Sequence, residues 1–246
     1  MTAYCNLHQV PAVLLVGGMG TRLRSVITSV PKPMAPLGER SFLELLVRQL
    51  RAQGVRKIVM CTGYLGEQIE NEFRDGSNLG MEIRYSQETS PLGTAGAVKL
   101  AKGLLPEIGD FLVMNGDSFL EMDIADFLSF HRARGGIATI AVRRVSDSGR
   151  YGSVDTAADG RIVNFAEKTG SPETAVINGG VYVFRRRVLN LIPDGRASLE
   201  TEVFPNLVKE GLYACEQAGM FIDIGTPQDY TRAQELCERL FRTAAQ

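Results

Sequence analysis

The first apolar block of the chain, Ala12-Val13-Leu14-Leu15-Val16, is unbroken, of strand length, and cut off by Gly17-Gly18. Runs of this kind suit strands covered on both faces, as in a parallel sheet. Ser41-Phe42-Leu43-Glu44 has the spacing of a capping box, and an amphipathic stretch runs on to about Gln53, where Gly54 stops it. The pattern then predicts a strand over 57–61, a helix over 67–74 and a strand over 81–86. A helix over 94–105, with Pro106 beyond it, and a short buried strand over 111–114 complete this half. Strands alternating with helices imply an α/β fold, a Rossmann-like and mainly parallel sheet flanked by helices.

After a helix over 123–134 the texture changes. Strand-like segments at 137–142, 152–155, 161–167 and 178–184 follow one another across turn signals such as Asp159-Gly160. They predict an antiparallel or mixed β-rich insertion built onto the same sheet. The last stretch predicts a strand over 221–224, then a helix with Thr226 as N-cap, Pro227 first and Asp229 third. No linker, repeat or low-complexity tract interrupts the pattern, so residues 1–246 are expected to form a single domain.

Composition narrows the classes. The 246 residues are 44% apolar and 22% charged, enough for a sizeable core. With 27 Lys+Arg against 28 Asp+Glu, a net charge of −1 argues against a partner nucleic acid held by bulk charge. No apolar run approaches the ~18–20 residues of a membrane span, so no membrane is expected. Met1 to Gln9 carry no Lys or Arg, unlike a signal peptide. The four cysteines, at 5, 61, 215 and 237, lack ligand spacing, and reduced thiols in a cytoplasmic protein are the expectation. With only His8 and His131, a histidine metal cage or a Ser-His-Asp triad is set aside.

Gly17-Gly18-Met19-Gly20-Thr21-Arg22-Leu23 directly follows the first strand, at the end where open α/β sheets bind ligands. Glycines let main-chain N–H groups approach a phosphate, and Thr21 and Arg22 add donors. It is not a dinucleotide fingerprint: position 23 is Leu, and the second strand ends at Met60-Cys61 without an acid for a ribose hydroxyl. Nor does it contain the P-loop's G-x-x-x-x-G-K-[ST]. Pro31-Lys32-Pro33-Met34 mounts a lysine on a stiff segment, useful where a cation must meet a phosphate.

Taken together, the G-x-G-T-R-L loop and the P-K-P-M segment some ten residues later resemble the signature of the sugar-1-phosphate nucleotidyltransferases. The resemblance implies attack of a sugar 1-phosphate oxygen on the α-phosphorus of a nucleoside triphosphate, with release of pyrophosphate. It implies Mg²⁺ as cofactor, and catalysis by positioning and charge neutralisation. About 11–135 would be the nucleotide-binding half and about 136–246 the sugar-phosphate half with the closing helices. Leu15, Gly17, Gly18, Gly20 and Thr21 would lie along the nucleotide, Arg22 would stabilise the departing pyrophosphate, and Lys32 would meet the reacting phosphates. Asp117, in Asn115-Gly116-Asp117 after the fourth strand, matches the family's first Mg²⁺ carboxylate, and Asp223, in Phe221-Ile222-Asp223-Ile224-Gly225, the second. Tyr151-Gly152, Glu167-Lys168 and Asn178-Gly179-Gly180 resemble its sugar-phosphate elements, with Lys168 on the phosphate and Glu167, Asn178 and Asn115 toward the sugar. Thr169 follows Lys168 where many relatives have Pro.

Glu88-Thr89-Ser90-Pro91-Leu92-Gly93-Thr94 corresponds to the family's base-contacting loop. Uracil and thymine present one N–H between two carbonyls and suit an amide, whereas guanine presents adjacent N1–H and N2–H₂ donors that a carboxylate accepts together. Glu88 falls where pyrimidine-using relatives tend to have Gln, so GTP is the expected substrate; the alternative is that Gln87 meets the base while Glu88 faces solvent. Within the family, G-T-R-L-R-S-V…V-P-K-P-M-A-P and N-G-D-S-F are most similar to the D-glycero-α-D-manno-heptose 1-phosphate guanylyltransferases, whose GDP-heptose feeds capsule or surface-layer glycans. Mannose 1-phosphate, a uridylyl or thymidylyl transfer, and a non-catalytic nucleotide-sugar sensor stay open beside that reading. So does a homo-oligomer, since Ala233, Leu236, Leu240 and Phe241 would pack either on the core or on a second subunit.

Overall fold

Residues 6–146, 153–166 and 175–245 are described by the computed structural model. The apolar run after Pro11 becomes β1 (Ala12–Leu15), and Pro36–Leu37 (β2) and Arg40–Ser41 (β3) make a small hairpin. Ser41 then caps α1 (Phe42–Ala52), its hydroxyl accepting from Glu44 N at 3.2 Å, and Gly54, at φ +93°, turns the chain out. β4 (Lys57–Thr62), α2 (Gly66–Phe73), β5 (Glu82–Gln87), α3 (Gly93–Leu100) and β6 (Asp110–Asn115) follow, with β7 (Ser118–Leu120) directly after. The helix expected over 94–105 is α-helical only to Leu100 and finishes as a tighter 3₁₀ turn over Ala101–Leu104.

Asp123 caps α4 (Ile124–Arg134), which leads into β8 (Ala138–Val145), β9 (Ser153–Thr156), β10 (Ile162–Ala166) and β11 (Ala175–Arg185). The remainder is α5 (Phe204–Gly211), β12 (Leu212–Glu216), β13 (Phe221–Asp223), α6 (Pro227–Glu235) and α7 (Cys237–Thr243). Thr226 caps α6 as its Thr-Pro-x-Asp sequence requires, with Asp229 N donating to its hydroxyl at 3.3 Å.

Among the described residues one nine-stranded sheet runs in the order β10-β9-β11-β6-β1-β4-β5, with β8 and β12 attached through β11. β6, β1, β4 and β5 form a parallel run, and β11 joins β6 antiparallel, so the sheet is mixed and mainly parallel in the part built from the first half of the chain, as the pattern implies. The β-rich stretch extends this same sheet through β8, β9 and β10. β13 departs from it. It pairs with β7 in a separate two-stranded ribbon, because β7 lies just beyond the end of β6 and leaves the sheet plane.

Two apolar clusters cover the faces of the sheet, one around Val13, Val113, Tyr182 and Phe204, the other around Leu14, Val47, Met60 and Leu112. Alternate residues of β1 and β6 supply opposite faces, so both strands are fully sandwiched. A third cluster packs α1 against the ribbon and the last helices. Ala233 and Leu240 are buried in it, with Leu236 and Phe241 packed on its edge, so these positions serve the core. Among the described residues no helix is long and apolar enough to cross a membrane.

Candidate active site

The chain passes from β1 to β4 and β5 on one side, then returns to place β6 on the other, with Leu15 opposite Asn115. This reversal separates the loops leaving β1 and β6 and opens a crevice at the strands' C-terminal ends. A cleft of about 740 Å³ lies there. The exit of β1 lines it with Leu15, Gly17, Gly18, Gly20, Thr21 and Arg22. The β5–α3 connection adds Glu88, Gly93 and Thr94, the end of β6 adds Asn115 and Asp117, and Lys32 closes one side.

Gly20 is held at φ +58°, and a Cβ there would lie 2.7 Å from Cβ of Lys32, so the loop packs directly onto the lysine's stem. Pro31 and Pro33 flank Lys32 at the start of a 3₁₀ turn, and its ammonium reaches Asp117 Oδ2 at 2.6 Å. Arg22 lines the cleft without a hydrogen bond or ion pair among the described residues. A mounted lysine and an unpaired guanidinium thus flank a glycine turn.

Asp117 and Asp223 are brought together by the ribbon: Asp223 is paired with Ser118 across it, and Ile224 N donates to the Asp117 carbonyl at 2.9 Å. Asp223 itself borders a neighbouring polar cavity of about 1350 Å³, while Gly225, two residues on, lines the first cleft. Burial, and then the charge of Asp117, push the Asp223 carboxyl above the usual range, with Lys32 opposing. Asp223 Oδ1 accepts from Gly225 N at 2.5 Å. Among the described residues one oxygen of each carboxylate is left without a protein partner.

Among the described residues no cluster of three or more Asp, Glu, His or Cys side chains suits a metal cage. Two adjacent carboxylates with free oxygens do fit Mg²⁺, which typically takes one or two carboxylates and completes its shell with phosphate oxygens and water. The donor set therefore suits a divalent ion arriving with a polyphosphate.

Glu88 follows β5 and its side chain points inward. Oε2 accepts from Leu92 N at 3.0 Å, tying off the loop, and a Cβ at Gly63 would lie 2.6 Å from Oε1. Gln87 is exposed at the end of β5 and does not line the cleft. Asn178 and Gly179 stand apart from the cleft lining as well. They form a bulge in β11, where the Asn178 amide donates to the Tyr182 hydroxyl at 2.9 Å and accepts from Gly180 N at 2.9 Å. Tyr151, Gly152, Glu167 and Lys168 lie outside the described residues.

The cleft also holds residues that no pattern singled out. Arg196 lines it with no hydrogen bond or ion pair among the described residues, next to Glu200. Arg196 comes from an irregular stretch that leads into a π-helical turn over Leu199–Val203, and Glu200 from that turn itself; the sequence there has no periodicity to mark it. Tyr64 stands at the mouth, with the Arg24 guanidinium 4.6 Å from its ring centroid. Cys61 forms part of the apolar wall, and burial pushes its thiol up to about 12.

The profile of the Nucleotidyl transferase family matches residues 11–239. Mannose-1-phosphate guanylyltransferase of Mycobacterium tuberculosis is 43% identical over 229 residues, 92% of this chain and 64% of that protein. Mannose-1-phosphate guanylyltransferase catalytic subunit beta of Danio rerio is 39% identical over 89% of this chain and 62% of its own length. The chain thus spans a little under two thirds of these relatives. The crystal structure of HddC from Yersinia pseudotuberculosis complexed with GMP-PN superposes with a TM-score of 0.83 at 33% identity, covering 92% of this chain and 98% of that one. A putative glucose-1-phosphate thymidylyltransferase from Bacillus anthracis shares the fold, with a TM-score of 0.83 at 22% identity.

Proposed function

The chain belongs to the nucleotidyl transferase family, and from that premise we propose that it transfers a guanylyl group from GTP to a manno-configured sugar 1-phosphate. The observation that carries the base is the Glu88 carboxylate, placed in the cleft wall where Gln87 is not. Its acceptor oxygens suit the paired N–H donors of guanine and repel the carbonyls of uracil or thymine. The guanylyltransferase names of the relatives and the guanine nucleotide in the HddC crystal support the same choice.

In this reading an oxygen of the sugar phosphate forms a bond to the α-phosphorus. The bond from that phosphorus to the bridging oxygen breaks, and its electron pair leaves with pyrophosphate. The nucleophile is already an anion, so the protein needs no general base. Its work is to align the two substrates and to neutralise charge. The glycine turn presents main-chain N–H groups to the triphosphate, and Arg22 and Lys32 stand ready as cations. Arg196 adds a planar donor fork on the facing wall, suited to a phosphate. Asp117 and Asp223 would hold Mg²⁺, which when bound screens the phosphate charges. Lys32 would then exchange its contact with Asp117 for one with substrate. Lys168, Glu167, Tyr151 and Gly152 complete the sugar side by resemblance, and Asn178 acts there by shaping the bulge. GTP supply and the free thiols of Cys61, Cys215 and Cys237 among the described residues both suit a cytoplasmic setting.

For the sugar, the motif resemblance favours D-glycero-α-D-manno-heptose 1-phosphate and the relatives' names favour mannose 1-phosphate. The test is pyrophosphate release with Mg²⁺, crossing GTP, UTP, dTTP, CTP and ATP against heptose, mannose and glucose 1-phosphates. Release with GTP and one manno-configured sugar is expected, and the preferred sugar decides between the two. Release with a pyrimidine triphosphate instead would overturn the role of Glu88. Binding of GTP without release from any pair would replace the enzyme with a nucleotide-sugar sensor.

A further inference from the structure

The two halves of the cleft meet at a compact set of hydrogen bonds between the start of α3 and the stretch 195–200. Thr94 Oγ1 donates to Glu200 Oε2 at 2.9 Å and accepts from Leu199 N at 2.8 Å. Ser198 Oγ donates to the same Glu200 oxygen at 3.0 Å. Ala197 N donates to the Leu92 carbonyl at 2.9 Å, and Ala95 N and Gly96 N donate back to the Ala197 carbonyl at 3.0 and 3.3 Å. Two glycines make this approach feasible, since a Cβ at Gly93 would lie 2.5 Å from the Ala197 carbonyl oxygen and one at Gly96 equally close to that of Gly195.

Arg196 sits in the middle of the clasped stretch, and its guanidinium has no hydrogen bond or ion pair among the described residues. The partner segment of the clasp, Leu92 with the first turn of α3, continues the loop that Glu88 closes through Leu92 N. Any ligand that orders residues 88–94 therefore acts on Thr94, and any movement of Thr94 is passed to Glu200 and the stretch carrying Arg196. A carboxylate receiving two hydroxyl donors is the strongest link in that chain, because charge-assisted hydrogen bonds exceed neutral ones.

We propose that Glu200 is a positioning residue that clasps Arg196 to the nucleotide loop through Thr94, so that a bound nucleotide presents this guanidinium to the second substrate. The inference rests on the guanylyl-transfer reading for the identity of both ligands. Coupling of this kind is reciprocal, so each ligand tightens the other by the same factor.

The experiment measures mannose 1-phosphate or heptose 1-phosphate affinity by calorimetry, with and without a non-hydrolysable GTP analogue and Mg²⁺. It is run on wild type, Glu200→Ala and Glu200→Gln, and amide exchange at Ala197 and Leu199 is followed in parallel. Wild type should bind the sugar phosphate at least about 5-fold tighter with the analogue present. Glu200→Ala should lose that factor while its affinity for the analogue alone changes less than about 2-fold, and its two amides should exchange faster. Glu200→Gln keeps a carbonyl oxygen for Thr94 and Ser198 and should restore most of the coupling. Three results overturn the proposal: no coupling in wild type, coupling intact in Glu200→Ala, or an equal loss of sugar affinity with and without the analogue, which would mark Glu200 as a direct ligand. If wild type binds the analogue but neither sugar phosphate, the guanylyl-transfer reading falls. The clasp is then decided by exchange alone, and unchanged protection in Glu200→Ala overturns it.

Discussion

At the scale of single residues the chemistry depends on where three carboxylates point. Glu88 both closes its loop, through Leu92 N, and faces the cleft. Glu88→Gln keeps an acceptor for Leu92 N but offers an amide donor where the carboxylate had a second acceptor. Its kcat/KM with GTP should fall by about 10–100-fold, the scale of one or two charge-assisted hydrogen bonds, while that with UTP rises. Unchanged base preference in a steady-state comparison would return base reading to another group. Asp117→Asn and Asp223→Asn remove the negative charge without changing shape. Each should cut Mg²⁺-dependent turnover by more than about 100-fold and leave the thermal midpoint near that of wild type. A third residue-scale expectation concerns Cys61, whose thiol burial holds near 12. It should resist iodoacetamide at neutral pH in the folded protein and react once unfolded, which mass spectrometry would read directly.

At the scale of elements, most strands and helices could be anticipated because their residues carry the period of the element they form. The capping box at Ser41 and the Thr-Pro-x-Asp start of α6 are local chemistry and appear where their spacing puts them. Departures occur where neighbours override the pattern. The helix expected over 94–105 tightens after Leu100, and the final helical stretch is split at Leu236 into α6 and α7 so that both halves can pack on the third cluster. The bulge in β11 is another case. Gly180 has φ +76°, and a Cβ there would run into Ser118 Oγ, so this position combines backbone strain with a clash. Gly180→Ala should cost about 2–4 kcal/mol in urea unfolding and disturb Asn178 and Asn115 together. A cost below about 0.5 kcal/mol would show that the bulge relaxes freely.

At the scale of the molecule, the site exists because strand order reverses between β1 and β6 and because a ribbon outside the sheet brings Asp223 beside Asp117. Away from the cleft, Asp110 at the start of β6 ties α4 to the sheet. His131 and Arg132 hold its carboxyl down to about 2, with Arg132 Nε donating at 2.9 Å and Nε2 of the fully buried His131 ring 3.7 Å away. A carboxyl with a lowered folded pKa contributes its stabilisation in full above the unfolded value, near 4, and loses it as the pH falls toward 2. Asp110→Asn should therefore destabilise the protein by about 1–2 kcal/mol at pH 7. The gap to wild type in urea midpoints should close between pH 4 and pH 2, and a gap independent of pH would assign the effect to packing.

The sequence by itself determined the alternation of strands and helices, the caps, the glycine turn with its mounted Lys32, and the carboxylates at strand ends. Each is written in neighbouring residues whose spacing follows the geometry of one element or turn. Tertiary structure alone decided that Asp223 belongs to a ribbon rather than the sheet, that Asn178 is spent on Tyr182 and Gly180, and that Arg196 and Glu200 reach the cleft. Those facts depend on which distant segments touch. The stretch 195–200 has no period to read, because its conformation is set by hydrogen bonds to α3, about a hundred residues earlier, rather than by its own side chains.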